Sequence, residues 1–166
     1  EYIKDVGTPE RLDKIRRDVQ CLKHKSFSFD QQRPAIFLDR DGTINEARGH
    51  ISSIDDMQLI PKVGEAISKL NDFGYLVIVI TNQPVVSRGE CSFNNLKEIH
   101  NKMETLLGYS KAFLDHIYFC PHHPDKGFRG EVSELKFKCS CRKPSLDLIK
   151  NAQTDFNIDM KNSWFI

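Results

Sequence analysis

The sequence predicts an α/β fold, a Rossmann-like three-layer sandwich with a mainly parallel sheet, and three observations carry that prediction. Two short runs, Ala35-Ile36-Phe37-Leu38 and Leu76-Val77-Ile78-Val79-Ile80, are apolar at every position, as strands covered on both faces must be. Segments whose apolar residues recur at helical spacing alternate with these runs. Both runs also stop abruptly in polar residues, Asp39-Arg40-Asp41-Gly42-Thr43 after the first and Thr81-Asn82-Gln83 after the second. In a parallel sheet those polar tips share one edge, where loops form a ligand crevice on a rigid base.

Taken in order, residues 1–32 read differently from the remainder and form the first of two expected segments, 1–32 and 33–166. Thr8 can cap a helix opened by Pro9, with Leu12, Ile15, Val19 and Leu22 on one face, and Lys23 to Arg33 reads as a polar linker. After the first strand, Ile44 to Leu59 reads as a loop over the crevice. Pro61 opens a helix with Val63, Ile67, Leu70 and Phe73 facing inward, and Gly74 ends it. Ser92 caps the next helix, whose stripe is Phe93, Leu96, Ile99, Met103 and Leu106, and His100 within it reads as structural or solvated. Ile117-Tyr118-Phe119 is a third short strand. Asp125 to Lys138 has no period. Pro144 opens a helix bearing Leu146, Ile149, Ala152 and Phe156, and Trp164-Phe165-Ile166 begins a last strand.

Composition narrows the partner. A chain of 166 residues supports one full-sized core. Its 24 Lys+Arg against 23 Asp+Glu leave a formal charge of +1, so no broad positive field favours nucleic acid or an acidic membrane surface. No apolar run approaches the roughly 20 residues that cross a bilayer. The reading is a cytosolic protein with a small partner. Of five cysteines, three crowd into 120–141, and in a reducing compartment clustered thiols more often bind metal than form disulfides. Cys120-Pro121-His122 and Cys139-Ser140-Cys141 are two ligand pairs able to close a tetrahedral Zn²⁺ site with no open position, a structural ion pinning the unpatterned loop. His123 competes with His122 on spacing alone. Cys21 and Cys91 read as small residues without special chemistry.

Paired carboxylates at a strand tip suit nucleophilic and acid–base work, although Asp39 and Asp41 taken alone more often describe a helix cap or a solvated turn. Arg142-Lys143 taken alone is a basic pair before a helix. The wording around them says more. The run from Ala35 to Asn45 closely resembles the first motif of the haloacid dehalogenase-like phosphatases, in the branch holding heptose bisphosphate and histidinol phosphatases. Thr81-Asn82, the Cys-x-His and Cys-x-Cys pairs and Arg142-Lys143-Pro144 follow in that family's order.

The resemblance implies a phosphomonoester hydrolase. Asp39 would attack phosphorus, Asp41 would serve as acid and base, and Mg²⁺ would bridge Asp39, the main-chain carbonyl of Asp41 and the phosphate. Thr81 and Lys143 would bind the phosphoryl oxygens, and Asn82, Gln83, Arg142 and the loop Arg48-Gly49-His50 would hold the rest of the substrate. It also selects His122 over His123 as the fourth zinc ligand. The implied substrate is a phosphorylated sugar, the 7-phosphate of D-glycero-D-manno-heptose 1,7-bisphosphate, with histidinol phosphate the runner-up. A zinc-stabilised binding domain with impaired catalysis is the reading from another class. Tyr2 to Leu12 resembles the close of sugar-phosphate nucleotidyltransferase domains, which implies a covalently fused nucleotidyltransferase.

Two departures from the family pattern stand out. Relatives continue beyond a strand like Trp164-Phe165-Ile166 into a further acidic motif that completes the Mg²⁺ site, so weak Mg²⁺ affinity and low activity are expected of these residues. Pro84-Val85-Val86-Ser87 replaces the usual Ser-Gly pair, while Arg88-Gly89 is retained.

Overall fold

The computed structural model describes residues 4–22, 25, 28–47 and 49–166. Four strands form one parallel sheet: β1 (Ala35–Leu38), β2 (Leu76–Asn82), β3 (His116–Cys120) and β4 (Trp164–Phe165), in the order β3-β2-β1-β4. The register pairs Ala35 with Leu76 and Leu38 with Val79, then Thr81 with Phe119 and Asn82 with Cys120. On the other side of β1, Ile36 pairs with Trp164.

Alternation along the strands divides the core in two. Ile36, Leu38, Val77 and Val79 point to one face, where α2 (Val63–Asp72) and α3 (Phe93–Gly108) supply Ile67, Leu96, Ile99, Met103 and Leu107. Ala35, Phe37, Leu76, Ile78 and Ile80 point to the other, covered by Leu148 and Ala152 of α4 (Asp147–Phe156). This is the expected three-layer arrangement, and it explains why β1 and residues 76–80 of β2 are apolar at every position.

Helix ends follow their local chemistry. The Thr8 side chain accepts from the Arg11 amide at the start of α1 (Pro9–Gln20), and Ser92 accepts from Asn95 at the start of α3. After α2 the Gly74 amide donates to Asn71 O and Tyr75 to Leu70 O, closing the helix where the sequence places its end. α2 itself begins at Val63, behind a left-handed Lys62, and α4 at Asp147, so Pro61 and Pro144 precede these helices by a turn.

Several inward assignments do not hold. Phe73 is 80% exposed, and Phe93 and Leu146 are also exposed, each lying at a helix terminus whose outer side no neighbouring element covers fully. In α3 it is Leu107, with no exposure, that seals the core, with Leu106 packed at its margin. The segment 44–59 is more than a loop over the crevice. Ile44, Ile51 and Met57 are buried in the α2/α3 core, and the Ile44–Ile60 and Glu46–Gln58 backbone hydrogen bonds fold it back on itself. Helix α1 buries none of its residues, so its apolar stripe has no counterpart among the described residues.

Candidate active site

The carboxyl ends of β1, β2 and β3 place the polar tips side by side. Asp39 is the first residue beyond β1, and its amide donates to the Ile166 carbonyl at 3.0 Å, so the tips of β1 and β4 are held together. Its carboxylate meets Lys143 Nζ at 2.7 Å, a pair of residues distant in sequence brought to one point by the sheet. Asn82, at the end of β2, fixes that lysine's backbone from both directions. Its Nδ2 donates to Lys143 O at 3.3 Å, and its Oδ1 accepts from Lys143 N at 2.9 Å. The side-chain amide thereby imitates a neighbouring strand.

A second string of contacts runs through Asp41. Gln83 Nε2 lies 2.9 Å from both Asp41 Oδ2 and Thr81 Oγ1, and Asn45 Nδ2 donates to Asp41 Oδ1 at 3.1 Å. Thr81 is buried at 1% exposure and accepts from Gln83, so its hydroxyl proton is left to donate elsewhere. Gln83 is equally buried and spends its amide on Thr81 and Asp41. Both contacts stay within the site, where the resemblance implied a contact to substrate.

The sequence reading missed Arg40. It is wholly buried, and its Nε and Nη2 grip Asp41 Oδ1 at 3.1 and 2.9 Å, with Nη2 also 3.1 Å from Oδ2. Nη1 lies 3.3 Å from His100 Nε2 on α3. Burial, reinforced by the Arg40 charge and opposed by Asp41, lowers the His100 pKa to about 4, so the ring is neutral near pH 7. An arginine between two aspartates looks like a solvated residue in sequence. Only the position of His100 on the inward face of α3 hinted at a partner.

The loop residues are less gathered. Arg48 lies outside the described residues. Gly49 and His50 are exposed, and His50 faces Arg88 Nη1 at 2.8 Å and Glu90 at 3.4 Å, away from Asp39's own contacts. Arg142 donates to the His122 carbonyl at 3.3 Å. Together with His123, Lys138 and Lys143 it lines a cleft of about 410 Å³.

The cysteine cluster is compact. Cys120 Sγ, His122 Nδ1, Cys139 Sγ and Cys141 Sγ all lie within 4.8 Å of one another. Sulfur separations are 3.1 to 3.4 Å, and His122 Nδ1 is 3.2 Å from Cys141 Sγ. Tetrahedral Zn–S bonds of about 2.3 Å put sulfurs about 3.8 Å apart, so a few tenths of an ångström of outward shift accommodate the ion. His123 turns instead to Asp125, and His122 is the histidine in the cluster. Burial and hydrogen bonds from the neighbouring thiols raise the Cys120 pKa. Burial also acts to raise that of Cys139, but hydrogen bonds from Cys141 and Cys120 outweigh it and bring it down. Among the described residues this is the only such gathering of three or more ligand side chains.

Comparison with known proteins agrees with this geometry. The model of the polynucleotide kinase 3 phosphatase family matches residues 35–166, which include every element of the sheet. The chain is 40% identical over 136 residues to D-glycero-beta-D-manno-heptose-1,7-bisphosphate 7-phosphatase of Yersinia pestis, covering 82% of this chain and 70% of that one. The chain belongs to the HAD-like heptose bisphosphate phosphatase family. The Escherichia coli K12 enzyme of the same name is 38% identical over 133 residues, 80% of this chain and 68% of its own. Among solved structures, D,D-heptose 1,7-bisphosphate phosphatase from B. bronchiseptica, complexed with magnesium and phosphate, superposes with a TM-score of 0.65 at 31% identity, over 76% of this chain. A HAD-like phosphatase from Mesorhizobium loti gives 0.73 at 29% identity, over 81% of this chain. This family member spans 65% and 62% of the length of those two chains.

Proposed function

We propose that this chain hydrolyses the 7-phosphate of D-glycero-D-manno-heptose 1,7-bisphosphate through an aspartyl-phosphate, as a step of nucleotide-heptose synthesis in the cytoplasm. The observation that carries the reading is the Asp39–Lys143 contact of 2.7 Å at the shared edge of the sheet, in a chain 40% identical to enzymes named for that reaction.

Asp39, with 38% of its side chain exposed, attacks phosphorus and splits one hard displacement into two easier ones. Lys143 moves from the carboxylate to a phosphoryl oxygen as negative charge shifts onto the phosphate, and the Thr81 hydroxyl donates to another. Asp41 gives a proton to the leaving oxygen and then takes one from water. Arg142, Lys138 and His123 in the adjacent cleft suit the second phosphate of a bisphosphate, with His50 and Arg88 further out.

The oxygen donors at the β1 tip fit Mg²⁺, a hard ion. Asp39 is open to solvent, and the Thr43, Ile44 and Asn45 amides all turn to the Arg40 carbonyl, not to that of Asp41. Mg²⁺ held by Asp39 and the Asp41 carbonyl would offset the repulsion between carboxylate and phosphate. The Cys120, His122, Cys139, Cys141 set suits a structural Zn²⁺. The exposed stripe of α1 suits a fused partner such as the nucleotidyltransferase, with residues 1–32 its tail and linker. No helix among the described residues is long and apolar enough to cross a membrane.

Phosphate release from the heptose bisphosphate and from histidinol phosphate, measured in excess Mg²⁺ with Asp39→Asn as control, tests the proposal. A preference for the sugar, abolished in the control, is expected. Preference for histidinol phosphate overturns the substrate, and release that survives in Asp39→Asn overturns the mechanism.

A further inference from the structure

His100 is a titratable side chain at 7% exposure, sixty residues from Arg40 in sequence, and the chemistry proposed above leaves it idle. Its surroundings are specific. The Arg40 guanidinium beside it has no exposure, and a charge taken wholly out of water is tolerated only when its donors are matched. Asp41 takes Nε and Nη2 along one edge of the guanidinium. On the other, Nη1 meets His100 Nε2. An arginine nitrogen can only donate, so Nε2 must be the acceptor and the ring proton must sit on Nδ1. The Phe119 ring, met edge-on with centroids 5.7 Å apart, fixes the plane of the imidazole. The charged and titratable neighbours acting on the pair are Asp41 and the buried Cys91 thiol, which Arg40 also influences.

A rigid planar fork held at both ends is a means of aiming a carboxyl group. The guanidinium cannot rotate toward bulk water without abandoning His100, and Asp41 cannot rotate without abandoning the guanidinium. We infer that His100 is a positioning residue for the acid–base step: as a neutral acceptor it locks Arg40, and Arg40 holds Asp41 at the angle from which it meets the leaving oxygen. This rests on the reading of Asp41 as the group that protonates that oxygen. A residue whose only task is to satisfy a buried arginine would affect stability, but not which leaving groups the enzyme handles.

Leaving-group dependence separates the two. An alkyl phosphate such as the sugar needs a proton on the departing oxygen, whereas p-nitrophenyl phosphate departs as a stable anion. The ratio of kcat/KM for the heptose bisphosphate to that for p-nitrophenyl phosphate reports the acid, because kcat/KM covers steps up to the first bond cleavage. For His100→Leu the ratio is expected to fall about tenfold, a fraction of the 10²–10⁴ typical of a general acid. His100→Gln, which keeps an acceptor, is expected to restore it to within about threefold of the parent. A ratio unchanged in His100→Leu overturns the inference even if thermal stability falls. Asp41→Asn identifies where a failure lies: if it too leaves the ratio unchanged, the acid role of Asp41 is wrong, and if it lowers the ratio while His100→Leu does not, only the positioning role is. Nitrogen-15 shifts of the His100 ring in the unaltered protein supply a measurement free of folding effects. A neutral Nδ1-protonated ring near pH 7 is expected, and an Nε2-protonated one refutes the geometry.

Discussion

Two glycines of nearly equal backbone conformation make a controlled comparison, because only one of them is enclosed. Gly49 and Gly89 have φ of +77° and +74°, so an alanine at either is strained by about 1 kcal/mol. A Cβ at Gly49 meets nothing within 4 Å, but at Gly89 it would lie 1.9 Å from the Gly130 carbonyl oxygen and 2.5 Å from its carbon. Both obstacles are main chain, and an ordinary C···O contact requires the two loops to separate by about 1.5 Å. The Val132 N–H to Ser87 O hydrogen bond at 3.1 Å then breaks, for about 1 kcal/mol. Arg88 also leaves the Phe128 ring, now 4.6 Å from its centroid, for about another 1 kcal/mol. Gly49→Ala should therefore cost about 1 kcal/mol and Gly89→Ala about 3 kcal/mol, read from urea midpoints at a common slope. Values agreeing within about 0.5 kcal/mol would refute the claim that the segment 121–141 is docked on the residues after β2.

Three further outcomes are expected. Lys143→Ala should lower kcat on the sugar phosphate by about 10²–10³, since in the proposed mechanism Lys143 offsets the phosphoryl charge, and unfolding midpoints will show whether the loss is chemical. Because the His100 pKa is lowered to about 4, the unfolded chain takes up a proton near pH 6.5 that the folded chain refuses; stability should be full above that pH and decline by about 3 kcal/mol as pH falls to about 4. Denaturant midpoints across that window should be flatter in His100→Gln. Metal analysis should find one zinc per chain, lost in Cys141→Ser, and chelation should open 121–141 to proteases before the rest of the molecule.

What was legible in the sequence is what a short range of residues encodes. The unbroken apolar runs of β1 and β2 declared a sheet covered on both faces, and the cysteine and histidine pairs declared their own convergence. Thr8, Ser92 and Gly74 marked helix ends through local hydrogen bonds. Illegible were contacts that depend on where the elements finally lie. Phe73, Phe93 and Leu146 keep helical spacing yet stay exposed, because periodicity describes a face and says nothing of how much of that face its neighbours cover. Arg40 and Gln83 are polar residues at strand tips, and nothing local distinguishes a side chain that turns inward to grip Asp41 from one that reaches for substrate.

The two-way grip of Asn82 on the Lys143 backbone divides responsibility within the site. The lysine is moored to the sheet directly, whereas Phe128, Lys136 and His123 sit on the loop between Cys120 and Cys139, held by contacts within it and by Arg88. Disrupting the Cys120, His122, Cys139 and Cys141 cluster should blur recognition of large substrates sooner than it slows attack on small ones. Evolution could therefore rewrite the loop between Cys120 and Cys139 to suit a new molecule without disturbing the machinery that breaks the ester.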